Sequence, residues 1–130
     1  MSLHLSFPLI PPASLSTNNR SSRHWRTRAA DTSPVREYAK LCCRGYPPIA
    51  EPVAIAVHVM WPTSKRLPDV DSLGSYCKPY LDGIVDAGVL SGDGPKVVKR
   101  ATFSQAKQVG KDGFTGVEFE LTTITEGGTT

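Results

Sequence analysis

The chain has 130 residues, of which 39% are apolar, and a formal net charge of +3. This length suits one domain with one core, and no apolar run approaches the length of a membrane span. Three cysteines without a C-x-x-C pair argue against a disulfide framework or a zinc site and favour a reducing cytoplasm. The N-terminal stretch has no basic leader, so we expect no secretory signal.

The two halves of the chain carry opposite charge. Residues 1–66 contain nine Lys or Arg against three Asp or Glu, which leaves +6. Residues 67–130 contain six Lys or Arg against nine Asp or Glu, which leaves −3. The first half is suited to an anion and the second holds acids that can bind a metal, and nucleic acid satisfies both requirements.

The first half of the chain predicts one strand, one loop and one helix. Apolar side chains at every second position from Leu3 to Leu9 predict a strand with one buried face. Residues 13–32, rich in Ser, Asn, Thr and Arg, predict an irregular basic loop. Ser33-Pro34 predicts a helix start, because a hydroxyl cap precedes a proline at the first helical position, and Gly45 ends that helix. Its apolar face contains Val35, Tyr38, Ala39 and Cys42.

The middle of the chain predicts a central strand and a second helix. Val53 to Trp61 is apolar at both alternating sets of positions, which is typical of a strand covered on both faces, with His58 as a core histidine that has a partner. A helix is expected over much of 72–87 and ends at Gly88, and its apolar side contains Leu73, Cys77, Tyr80, Leu81 and Ile84. Pro79 leaves two possibilities: the helix starts near Ser75 with Pro79 in its first turn, or it bends at Pro79.

The end of the chain predicts two more strands. Val97–Phe103 and Phe114–Ile124 are expected to form an antiparallel pair in which Val117, Phe119 and Leu121 face the core. Residues 126–130 are expected to form a frayed tail. The element order is therefore β-α-β-α-β-β. It predicts a single α+β domain over 1–130, with a small mixed four-stranded sheet and two helices on one of its faces.

Three acids are the candidates for a metal site. Asp69 and Asp71 are two residues apart, so in extended backbone both carboxylates point the same way and can reach one cation such as Mg²⁺. Asp71 can instead be an ordinary helix N-cap. Asp93 is a possible third ligand, although Asp93-Gly94 also suits a plain turn.

Basic residues accompany these acids. Lys78 lies on the same helical stripe as Asp71 and Asp82, where it can form a surface salt bridge or contact a scissile phosphate. Asp82 can hold Lys78 in place. Two clusters are candidates for binding DNA phosphates, with a solvated flexible loop as the alternative for the first: Arg20, Arg23, His24 and Arg26, and then Lys65 and Arg66.

Taken together, these residues resemble the RusA family of Holliday-junction resolvases over most of the chain. The N-terminal part is similar in its Pro11-Pro12 pair, its Asn19-Arg20 and its Arg23-His24. The central part is similar to the family signature D-x-D-N-x-x-K-P-x-x-D-A-L. Its positions are filled here by Asp69, Asp71, Lys78, Pro79 and Asp82.

The chain departs from the family pattern at three places. Ser72 stands where asparagine is usual, three extra residues separate Asp71 from Lys78, and Gly92 replaces the first of two paired acids. Asp93 is then the match to the catalytic member of that pair.

The resemblance implies a RusA-like fold and a magnesium-dependent endonuclease that acts as a homodimer on four-way DNA junctions, in recombination and repair. Mn²⁺ is expected to substitute for Mg²⁺. Asp69, Asp71 and Asp93 are implied as metal-binding catalytic acids and Lys78 as the catalytic lysine, with Asn19 joining the DNA-binding residues. A bacterial cytoplasm and a phage or prophage origin are implied as well. Two alternatives remain open: a non-catalytic module that binds branched DNA, and a nuclease of the same fold that cuts forks or flaps.

Overall fold

A computed structural model describes residues 1–12 and 25–124, with side chains for 1–12 and 32–124. The described part contains four strands and two helices in the predicted order β-α-β-α-β-β, and the four strands form one mixed sheet. Their bounds are β1 (Ser2–Phe7), α1 (Trp25–Cys42), β2 (Val53–Trp61), α2 (Leu73–Asp86), β3 (Val98–Lys107) and β4 (Gly116–Thr123), with a 3₁₀ turn at Val70–Ser72 before α2. The predicted α+β class is confirmed.

The order of strands in the sheet is β1-β4-β2-β3, which differs from the prediction. β4 is antiparallel to both β1 and β2 and lies between them, while β3 is parallel to β2 at the edge. The predicted antiparallel pair of the last two strands is therefore wrong. A helical crossover through α2 returns the chain in the direction of β2, which makes the β2–β3 pair parallel.

The core lies between one face of the sheet and the two helices. Phe7, at the end of β1, contacts Tyr80 of α2 and Phe119 of β4, with ring centroids 5.6 and 5.8 Å apart. All five odd-numbered residues of β2 from Val53 to Trp61 are buried on this face. The inward residues of β4 are those predicted: Val117, Phe119 and Leu121.

The opposite face of the sheet is open in the described part of the chain. Ala56 on β2 is exposed, so the prediction that this strand is covered on both faces is wrong, although it does have a strand on either side. His58 lies on the open face and is half-buried; its Nδ1 is 2.7 Å from the Ser104 Oγ. The partner predicted for His58 exists, but His58 is not in the core.

Helix α1 begins earlier than the sequence predicts. Residues 25–32 are helical, so the expected irregular loop over 13–32 is wrong for that part, and Pro34 lies inside the helix rather than at its start. Arg and Ala, frequent in 25–32, favour helices. The helix forms although Pro34 removes one backbone hydrogen bond and crowds the preceding turn. The buried stripe is Val35, Ala39 and Cys43, whereas Cys42 is exposed, contrary to the prediction.

Helix α2 begins at Leu73 and continues through Pro79, so Pro79 lies in the second turn and not in the first. Its C-terminal end is followed by Gly88 at φ +86°, a conformation that favours glycine. The predicted apolar side is confirmed at the buried Leu73, Cys77, Tyr80 and Ile84. The helix packs closely on α1 at Gly83, where an added Cβ would lie 2.5 Å from the Arg36 carbonyl oxygen.

Candidate functional site

Lys78 forms the centre of a charged cluster on the solvent side of α2. Its Nζ is 2.9 Å from the Asp82 Oδ1, one helical turn away, and it also donates a hydrogen bond to the Asp93 Oδ2. The side chains of Lys78 and Asp93 are 50% and 44% exposed. The structure therefore brings together three of the predicted residues, and the salt bridge between Lys78 and Asp82 is present.

The segment that carries Asp93 is fixed by backbone hydrogen bonds and by buried residues before it. Val89 and Leu90 are buried, and the Val89 carbonyl accepts a hydrogen bond of 2.8 Å from the Ile49 amide. After Asp93, the amides of Val97 and Val98 both donate to the Gly94 carbonyl, at 3.0 and 2.9 Å. Asp93 thus lies between an anchored stretch and a closed turn, within reach of Lys78.

The ion pairs change the pKa values of the cluster. Burial acts to lower the pKa of Lys78, but the hydrogen bonds to Asp93 and Asp82 raise it on balance. The hydrogen bond from Lys78 holds the pKa of Asp93 below its ordinary value. Lys78 is therefore a cation at neutral pH, suited to stabilising negative charge and unsuited to accepting a proton.

Asp69 and Asp71 lie just before the N-terminal end of α2, and both are exposed. Asp69 has extended backbone at φ −65° and ψ 141°, and it precedes the 3₁₀ turn without a capping hydrogen bond from its side chain. The N-cap position of α2 is occupied by Ser72, so Asp71 is not the helix cap that the alternative interpretation required. The carboxylates of this pair have no capping role in the described structure.

Asp93 is paired with Lys78 in this structure. The residues that the structure describes contain no group of three or more His, Cys, Asp or Glu side chains that could hold a metal ion. Asp71 precedes Lys78 by seven residues, which corresponds to about 10 Å along a helix axis, and Asp93 is bound to Lys78. Carboxylate oxygens are the ligand type that Mg²⁺ prefers, and a metal site built from these three acids stays a prediction.

Gln105 links the acidic pair to the sheet, and the sequence predictions missed it. The Trp61 Nε1–H donates to its Oε1 at 2.9 Å, and its Nε2–H donates to the Pro68 carbonyl at 2.7 Å. Gln105 follows Ala101 and Phe103 on the side of β3 that faces α2. The signal in the sequence is the position of Gln105, two residues after Phe103 and on the same side of the strand. A polar side chain at a position that faces the core needs a hydrogen-bond partner there.

An apolar groove lies beside the cluster, between β3 and α2. Its volume is about 140 Å³, and its lining includes Lys78, Cys77, Leu81 and the 38% exposed Phe103. Burial raises the pKa of the Cys77 thiol to about 12, so this side chain lines the groove as an uncharged thiol at physiological pH.

The predicted DNA-binding residues fall into two groups. Lys65 is half-buried, with its Nζ 5.6 Å from the centroid of the Trp61 ring, and Arg66 is exposed. Both lie in the segment that leads from β2 to Asp69, close to the acidic pair in the chain. The first group is outside what the structure describes: Asn19, Arg20, Arg23, His24 and the side chain of Arg26.

Two comparisons with known proteins give no match. No protein-family model matches the chain, and no match is found among curated proteins. None of the helices in the described ranges is long and apolar enough to span a bilayer. The resemblance to the RusA family stays a prediction, carried by the residues quoted for it.

Proposed function

We propose that the chain is a structure-selective endodeoxyribonuclease of the RusA type, which resolves four-way DNA junctions in recombination and repair. The observation that carries the proposal is the exposed Lys78 of α2, which is bound by Asp82 and Asp93. The exposed acids Asp69 and Asp71 lie just before the start of the same helix. Asp69, Asp71 and Asp93 are the proposed metal ligands, which requires Asp93 to leave Lys78 and approach the pair, because the three acids do not form one group in the described structure. Mg²⁺ is the proposed cofactor, with Mn²⁺ as a substitute, because its usual ligands are oxygen atoms.

Lys78 is proposed to bind the scissile phosphate. A charged lysine near a transferring phosphate stabilises the negative charge that develops as the bond breaks. Two carboxylates share its ammonium group in the structure, so a phosphate would have to replace one of them. Asp93 is the partner to be replaced, because it lies on a separate segment, whereas Asp82 is one turn away on the same helix.

A homodimer and branched DNA are the proposed partners. Resolution of a junction needs matched cuts in two strands, and a two-fold symmetric dimer presents two identical sites. Lys65 and Arg66 are proposed to contact phosphates beside the acidic pair, together with Asn19, Arg20, Arg23, His24 and Arg26. A bacterial cytoplasm and a phage or prophage origin belong to the same proposal.

A second candidate is a non-catalytic module that binds branched DNA. It is favoured by one observation. Asp93 is bound to Lys78, and in the described structure Asp69, Asp71 and Asp93 do not form one group that could hold a metal ion. Such a protein would bind junctions with strong salt dependence, since each neutralised phosphate steepens the response to salt, and would leave the strands intact.

The test compares a synthetic four-way junction with a fork, a flap and a linear duplex, each incubated with the protein and Mg²⁺. The nuclease proposal expects paired cuts in the junction and their loss in Asp71→Asn and Lys78→Met. Matched controls are Asp112→Asn and Lys111→Met, which change exposed residues between β3 and β4. Binding without cutting supports the second candidate, and cutting of forks or flaps alone identifies another nuclease specificity. Undiminished cutting by Asp71→Asn contradicts the proposed site.

A further inference from the structure

Two consecutive backbone carbonyls at the start of the acidic pair, those of Pro68 and Asp69, accept hydrogen bonds from side chains. The Pro68 carbonyl accepts a hydrogen bond of 2.7 Å from Gln105 of β3. The Asp69 carbonyl accepts one of 2.7 Å from the Ser72 Oγ and another of 3.0 Å from the Ser72 amide. Neighbouring peptide units are thereby fixed at the point where the chain leaves the sheet end and enters α2.

Both bracing side chains have little freedom of their own. Ser72 is 1% exposed. Gln105 is half-buried, and its carbonyl oxygen accepts a hydrogen bond of 2.9 Å from the indole of Trp61, which is fully buried. The Trp61 ring packs edge-on against Tyr76 of α2, with centroids 5.4 Å apart. The hydrogen bond from the buried Trp61 therefore fixes the orientation of the Gln105 amide, and this amide in turn holds the Pro68 carbonyl in place.

We propose that Gln105 is a positioning residue that sets the direction of the Asp69 and Asp71 carboxylates, with Ser72 as its local counterpart. The inference rests on the proposed function. Both carboxylates are exposed, so their direction depends mainly on the backbone that carries them. A displacement of about 1 Å in a catalytic group can cost about 100-fold in rate, which is why supporting hydrogen bonds matter at such sites.

Packing alone does not require a glutamine at this position. An apolar side chain of similar length, such as methionine, would fill the same inward site on β3 without the cost of burying an amide. The glutamine uses one donor and one acceptor on two different segments, Pro68 and Trp61. These two hydrogen bonds indicate that Gln105 connects β2 to the segment before Asp69, and does not merely fill space.

The test uses Gln105→Met, with Ser72→Ala as a second and milder variant. The matched control is Gln108→Met, because Gln108 also donates to two backbone carbonyls, at 3.0 and 2.7 Å, but in the connection to β4. We expect kcat for junction cleavage to fall about 10- to 100-fold in Gln105→Met, with KM within threefold of wild type and no matching change in the control. In Ser72→Ala, kcat should also fall, but by less than in Gln105→Met, because the Ser72 amide still donates to the Asp69 carbonyl.

A second measurement needs no cleavage at all. Hydrogen exchange of the Ser72 amide should become about tenfold faster in Gln105→Met, while amides of β2 and β4 exchange as in wild type. Unchanged exchange at Ser72, or a loss of kcat no larger than in Gln108→Met, overturns the positioning role. If the wild type does not cut junctions, the proposed function fails, and the exchange experiment still decides whether Gln105 braces this segment.

Discussion

Replacement of Lys78 by methionine should separate a catalytic role from a structural one. Methionine keeps an apolar stem against the groove but removes the charge that Asp82 and Asp93 share. The side chains of these partners are 23% and 44% exposed, and that of Lys78 is 50% exposed. Pairs this open to solvent contribute about 0.2–1 kcal/mol each, so the free energy of unfolding should fall by only about 1 kcal/mol. For a domain of this size that corresponds to a lower Tm by about 3–5 °C.

The expected effect on cleavage is much larger. Loss of one charged group that stabilises a transition state costs about 2.7–4 kcal/mol, or 10²- to 10³-fold in rate. Urea denaturation and single-turnover cleavage of a four-way junction measure the two effects on the same preparation, with Lys111→Met as control. Cleavage within threefold of wild type refutes the catalytic role. A loss of unfolding free energy above about 3 kcal/mol refutes the view that these are surface pairs.

Three further predictions concern the fold. Tyr80→Phe removes the 2.5 Å hydrogen bond to the Leu9 carbonyl and should lower the free energy of unfolding by about 1–2 kcal/mol in urea denaturation; no change would mean that water replaces the donor. Gly83→Ala should destabilise by about 1–3 kcal/mol despite better helix propensity, because its Cβ would meet the Arg36 carbonyl oxygen at 2.5 Å; a more stable variant would contradict the close helix contact. The hydrogen bond from Arg36 lowers the pKa of Asp86, so the pair stabilises above the ordinary carboxyl pKa of 3.8 and loses its effect as pH falls below it. Arg36→Met should therefore cost up to about 1 kcal/mol at pH 7 and progressively less as pH falls below 3.8 and through the lowered pKa of Asp86, and a loss that does not change with pH would exclude the ion pair as the cause.

The sequence predicted elements best where alternation was strict. The bounds of β2, Val53–Trp61, coincide with the predicted run, and Val117, Phe119 and Leu121 face the core as expected. A period of two identifies a strand and its buried face. It carries no information on which strand is the neighbour, and so the position of β4 between β1 and β2 could not be predicted from it.

The start of α1 was missed for a different reason. Ser33-Pro34 has the local chemistry of a helix start, but the structure continues the helix back to Trp25. Residues 25–32 show no apolar period, so a pattern-based prediction gives a loop there. Helix propensity without amphipathic spacing is a weak signal, and here it was the better guide.

The candidate site was predictable where it depends on helix geometry. The four-residue spacing of Lys78 and Asp82 places them together on α2, as observed. The contact with Asp93 depends on a segment anchored by Val89 and the Gly94 turn, which no local pattern describes. The three extra residues between Asp71 and Lys78, noted as a departure from the family pattern, add about one turn of helix and so increase the separation of the acidic pair from Lys78.

The pairing of β1 with β4 has a consequence for how the chain folds. The Met1 amino group is 3.3 Å from the Thr123 Oγ1, and Ser2 is paired with Thr122, so the two ends of the described fold lie side by side. The N-terminal strand must therefore wait for the last strand to be synthesised before it can pair, and this long-range closure slows folding.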